Sequence, residues 1–155
     1  MSPRPTAPTR SAQAAVAAAG LLLTGCSGAA QGADSPQAAV TTFFHALGAK
    51  DSSGACAVIS TQGRALEGVP LQECELGFDK VLAGLDDQQD ITALSKAQVT
   101  GAQVSGGRAT VRKAQITQVP NDFQSDIDLV RLGDRWYIDS KSDKTDPAAR
   151  SDQTG

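Results

Sequence analysis

The stretch SPQAAVTTFFHALGAKDSSGACAVIS, residues 35–60, governs the reading of the chain. Ser35 can cap a helix through its hydroxyl, and Pro36 costs nothing at the first helical position, where its missing N–H would have no partner anyway. Val40, Phe43, Phe44 and Leu47 then recur at helical spacing, and the stripe ends near Gly48. Asp51, Ser52 and Ser53 can restart the chain as a second, shorter helix. It is expected to carry Cys56, Val58 and Ile59 and to end before Gly63.

Further along, LQECELGFDKVLAGL (71–85) follows Pro70 and sets Leu71, Cys74, Phe78, Leu82 and Leu85 near one face of a third helix. From Ile91 onward the pattern changes to shorter alternating runs rich in Val, Ile and Thr. KAQVTGAQV (96–104) and RATVRKAQITQV (108–119) flank Ser105-Gly106-Gly107, a hairpin turn in which glycine tolerates positive φ. SDIDLVRL (125–132) and RWYID (135–139) flank Gly133-Asp134 as a second tight hairpin. Ile127, Leu129 and Leu132 do not alternate strictly, which allows a bulge near Val130. The expectation is an α+β fold: three helices, then an antiparallel sheet of about four strands.

With FFHALGAKDSSGACAVIS (43–60) near the start and GDRWYID (133–139) at the end, residues 35–141 resemble the nuclear transport factor two-like fold, also called the cystatin-like cone. More narrowly, they resemble the secreted actinobacterial lipoproteins built on that fold. The resemblance implies a curved sheet wrapped against helices, often around an apolar pocket. Phe43, Phe44, Phe78, Trp136 and Tyr137 are the candidates to line it.

Upstream, the apolar segment from Ala14 to Leu23 is too short for a helix across a bilayer, which needs about 20 apolar residues. It follows Arg4 and Arg10 and ends in small residues, the layout of an export signal. The two arginines are not adjacent, so the general secretory route is expected over the twin-arginine route. Leu23-Thr24-Gly25-Cys26 resembles the lipobox of bacterial lipoprotein precursors. The resemblance implies cleavage before Cys26 and acylation of its thiol; plain secretory cleavage near Ala30 is the alternative. Each buried methylene contributes about 0.8 kcal/mol, and one acyl chain alone anchors only marginally, so a diacylglyceryl group makes attachment durable. The expected layout is a signal peptide over 1–25, a flexible tether over 26–34, the folded domain over 35–141 and a polar, disordered tail over 142–155.

Export would place Cys56 and Cys74 where disulfides persist, and acylation of Cys26 leaves them as an even pair, expected to be bonded. The alternative, a redox or metal site, lacks CxxC spacing, and the lone His45 brings no companion ligands. No metal site and no cofactor is expected.

The net charge is −3 for the whole chain and −5 once Arg4 and Arg10 leave with the signal, so there is no basic footprint for nucleic acid. Proton-transfer chemistry, which some cone-fold enzymes perform, needs a carboxylate or histidine in a perturbed environment facing a donor. His45 lies beside the Phe43–Phe44 stripe; Tyr137 could donate into a pocket, but Trp136 next to it must face the other way along a strand. Asp126, Asp128 and Asp139 fit half-exposed strands as well as a cation site. Gly101, Gly106 and Gly107 carry no phosphate-binding motif. The expected function is a non-enzymatic binding or accessory module, held to the outer face of the cell membrane by its lipid, with either an envelope protein or a small hydrophobic ligand as its partner. The alternatives are a carrier of a small hydrophobic ligand or lipid in the cone pocket, and an isomerase- or cyclase-like enzyme.

Overall fold

The computed structural model describes residues 31–140. The segments expected to be signal peptide and lipobox, the expected acylation site Cys26 and the expected tail over 142–155 lie outside the described residues. Helix α1 (Pro36–Gly48) starts as its sequence dictates: the Ser35 hydroxyl accepts the Ala38 N–H at 3.1 Å, and Pro36 opens the first turn. Such a cap contributes about 1 kcal/mol. Helix α2 (Ser52–Ala57) is capped by Asp51, whose carboxylate accepts the Gly54 N–H at 2.9 Å. It stops two residues short of Ile59; Ile59–Thr61 forms strand β1 and turns back into β2 (Arg64–Ala65). Gln62 (φ 52°) and Gly63 (φ 70°) both adopt positive φ at the turn, the geometry of a two-residue type I′ hairpin.

Helix α3 (Val69–Ala83) follows with Pro70 in its first turn. A fourth helix, α4 (Gln88–Leu94), capped by Asp87, occupies the start of the region expected to be strands. It packs closely on α1: a Cβ placed on Gly48 would lie 2.5 Å from the Ser95 backbone nitrogen. Strands β3 (Gln98–Val99), β4 (Gln103–Ser105), β5 (Arg108–Val111), β6 (Ile116–Thr117), β7 (Ile127–Leu132) and β8 (Arg135–Asp139) complete the chain.

The α+β class holds, but the sheet differs from the expected four antiparallel strands. It has six strands in the order β2-β1-β8-β7-β5-β4, and β3 pairs with β6 in a separate two-stranded ribbon. The β4–β5 and β7–β8 hairpins form as expected, each with a glycine at positive φ first in its loop, Gly106 at 57° and Gly133 at 63°. β1 runs parallel to β8, with Ile59 opposite Ile138, which makes the sheet mixed. There is no bulge at Val130. Pairing is continuous through Val130 opposite Tyr137 on one side and Arg108 on the other, since the turn chemistry fixes the register without an extra residue.

One face of the sheet meets the helices. Ala109, Val111, Leu129 and Trp136 are buried there with Val40, Phe44 and Leu47 of α1, Leu82 of α3 and Leu94 of α4. Burying a side chain such as Phe44 contributes about 2–3 kcal/mol. The outer face carries Thr110 hydrogen-bonded to Asp128 at 2.8 Å and Arg108 3.6 Å from Asp139. Residues 31–34, the last four of the span expected to be tether, are hydrogen-bonded to the domain. Gly32 N–H donates to the Ala57 carbonyl at 2.8 Å, and Ala33 exchanges two hydrogen bonds with Trp136. This segment takes the place beside the first half of β8 that β1, pairing only from Ile138 onward, leaves open.

Candidate functional site

Helices α1 and α3 and the inner face of the sheet enclose an apolar cavity of about 490 Å³. Its α1 wall is Phe43, Phe44 and Leu47, one turn of the apolar stripe read in the sequence. Its α3 wall is Phe78, Val81 and Leu82, spaced by three and four residues and therefore on one side of the helix, and Leu85 joins them from just past the Gly84 C-cap. Ile127 of β7 and Ile138 of β8 form the floor, and Phe123 and Ser125 come from the loop before β7. All four phenylalanines of the chain line this one space. Phe43 is the hub: its ring meets Phe44 edge-on at 5.6 Å and Phe78 at 5.7 Å, the offset geometry that aromatic quadrupoles prefer.

The cavity has a deep end and a mouth. Phe44, Leu47 and Leu82 are buried, whereas Val81, Gly84 and Ser125 are exposed. A shallower groove of about 360 Å³, lined by Glu73, Cys74, Gly77, Phe78 and Val81, adjoins it and shares its Phe78 and Val81 walls. Among the described residues, no titratable side chain lines the cavity, and the Ser125 hydroxyl is the one polar side-chain group that does.

Helix α3 is placed by covalent chemistry more than by packing, since Leu82 is its one buried residue. Cys56 of α2 and Cys74 of α3 form the expected disulfide, with Cα atoms 6.0 Å apart. Cys74 precedes Phe78 by one helical turn, so the bridge also positions that ring against Phe43. A second buried cluster of Cys56, Ile59 and Leu66, with Leu71, Cys74 and Phe78 against it, surrounds the bridge.

Of the five expected pocket residues, Phe43, Phe44 and Phe78 line the cavity and Trp136 and Tyr137 do not. Strand alternation sends Trp136 to the helix side, where it is buried in the core two residues before the cavity residue Ile138. Tyr137 points to the outer face. It is buried there beneath Gly32, and that burial raises its phenol above the usual value, with Asp134 and Glu67 adding to the shift and Arg135 opposing it. Trp136 thus shares the core cluster with Phe44 without lining the cavity.

The remaining candidates also lie away from the cavity. His45 is exposed, and its Nε2 donates to the Ala97 carbonyl at 3.0 Å, tying α1 to the segment after α4. Asp126 accepts the Lys113 backbone N–H at 2.9 Å and the Arg112 guanidinium at 3.0 Å, and these bonds hold its carboxyl below the usual value. Asp128 is engaged by Thr110, and Asp139 is near Arg108. Among the described residues, no three His, Cys, Asp or Glu side chains group as metal ligands. No described helix is long and apolar enough to cross a membrane.

Phe123 is the cavity residue the sequence left unassigned. It sits in a single 3₁₀ turn after Pro120, where no periodicity marks it, and its aromatic character was the one available signal. Comparisons with protein-family models, with curated proteins and with solved structures returned no match to this chain.

Proposed function

We propose that this chain is a binding module of the cystatin-like cone type, exported and held at the outer membrane face by a lipid on Cys26, whose cavity takes a small hydrophobic molecule. The observation that carries the reading is the cavity itself. About 490 Å³ lies within the 300–1,000 Å³ of ordinary small-molecule sites, and its walls are aromatic and aliphatic with one hydroxyl at the mouth. Filling such a space with an apolar ligand restores the dispersion contacts that its lining lacks. Binding without chemistry is favoured because an acid or base would have to reach into a space that, among the described residues, no titratable side chain lines.

The experiment is mass spectrometry of the protein purified intact from membranes, compared with Gly84→Trp. Gly84 lies at the mouth with a negative φ, and a Cβ there meets nothing closer than the Val81 carbonyl at 3.6 Å, so the indole can be accommodated and will occupy the opening. A bound apolar molecule retained by the parent and lost by the folded variant supports the reading. An empty parent that also takes up no added apolar ligand refutes it.

A further inference from the structure

We infer that the cavity discriminates by head-group charge, accepting neutral and cationic single-chain amphiphiles and rejecting anionic ones; the inference rests on the ligand-binding reading above. The geometry imposes a direction on any amphiphile. Its apolar body belongs at the closed end against Phe44, Leu47 and Leu82, and its polar end must stay at Gly84 and Ser125, because no buried charge or donor in the lining could receive it.

The head group therefore meets the rim. Asp79 follows Phe78, Asp86 and Asp87 follow Leu85, Asp122 precedes Phe123, and Asp126 lies between Ser125 and Ile127. Each is within one or two residues of a lining position, about 4–7 Å along the backbone. Against these five carboxylates stand three cations: Lys80, beside Val81, and Arg112 and Lys113, which are held at Asp126. Asp128 and Asp139, beside Ile127 and Ile138, face the outer side of the sheet with Thr110 and Arg108 and do not join the rim; the eight groups named carry a net charge of −2. A charge about 10 Å away through water changes an affinity about twofold at low salt, so two change it about fourfold in each direction. A cationic head should then bind about tenfold or more tightly than an anionic one on the same chain.

The test uses the full chain carrying Cys26→Ser and three probes of equal tail length: dodecylammonium, dodecanol and dodecanoate, each below its aggregation threshold. Affinities are measured at about 10 mM and about 150 mM salt, where the screening length falls from about 30 to about 8 Å. The expected order is ammonium, then alcohol, then carboxylate, with the spread at least halved at the higher salt. In D86N/D122N, which neutralises two exposed side chains, the order should vanish while dodecanol binding stays unchanged. Equal or tighter binding of dodecanoate to the parent, with dodecanol bound, overturns the charge selection and leaves the cavity reading standing. If none of the three binds, both fall together.

Discussion

Gly32 lies against the ring of Tyr137 so closely that a Cβ on Gly32 would come within 2.6 Å of the Tyr137 Cζ. Gly32 also has φ +71°, a conformation that glycine adopts freely. The segment before α1 is therefore fitted onto β8 through a contact that no other residue can make. Gly32→Ala should lower the unfolding free energy by about 2–3 kcal/mol in urea titration. Gly106→Ala supplies the control: its φ is also positive, but a Cβ there meets nothing within 4 Å, so the cost should be about 1 kcal/mol. Equal losses in the two variants would show that the close approach to Tyr137 carries no weight.

Tyr137 is the chain's single tyrosine, so its ionisation can be followed directly by ultraviolet absorbance. Burial raises its folded pKa above the unfolded value near 10.0. Over that interval the unfolded chain has lost a proton that the folded chain keeps, so stability falls as pH rises. The contribution is complete below pH 10 and is lost as the pH climbs through the folded pKa. Tyr137→Phe should flatten the alkaline limb of the stability profile and leave the neutral region in place. An unchanged alkaline limb would assign the loss to other groups.

The disulfide closes a loop with a sequence separation of 18 residues. In the chain-entropy model this stabilises the fold by about 3 kcal/mol. Cys56→Ser/Cys74→Ser should show that loss in denaturant and, because Cys74 positions Phe78, weaken the binding of any apolar ligand as well. Thiol titration of the unfolded, non-reduced protein should find neither Cys56 nor Cys74 free. Two reactive thiols would refute the bridge.

For the anchor, Cys26→Ser should abolish incorporation of labelled fatty acid and move the protein from the membrane fraction to the soluble or uncleaved pool. Labelling that survives the substitution would place acylation elsewhere or exclude it.

What could be read from the sequence was local. Ser35-Pro36 opens α1, the Gly106 and Gly133 turns close their hairpins, and the α3 stripe faces the cavity, because caps, turn residues and helical periods act within a few residues. The misses were set by tertiary structure or by weak local signals. The β1–β2 hairpin turns on Gln62-Gly63, where glutamine at positive φ lacks the usual Asn or Asp marker. Helix α4 is a single short amphipathic segment, and Leu94 is its one fully buried residue, too little to establish a period. The parallel pairing of β1 with β8 joins residues about 80 positions apart and leaves no trace in either strand. The assignment of Trp136 and Tyr137 to faces awaited the register, since alternation says that they diverge but not which one goes inward.

The position of β8 has a consequence for timing. Residues 135–139 form a central strand of the sheet, flanked by β1 and by β7, and also receive Ala33. Until the ribosome has made them, the early hairpin β1–β2 and the later strands have no common partner, and the first residues of the domain have nothing to lie on. Closure of the fold is thus a late event in synthesis, as expected for contacts of long sequence separation.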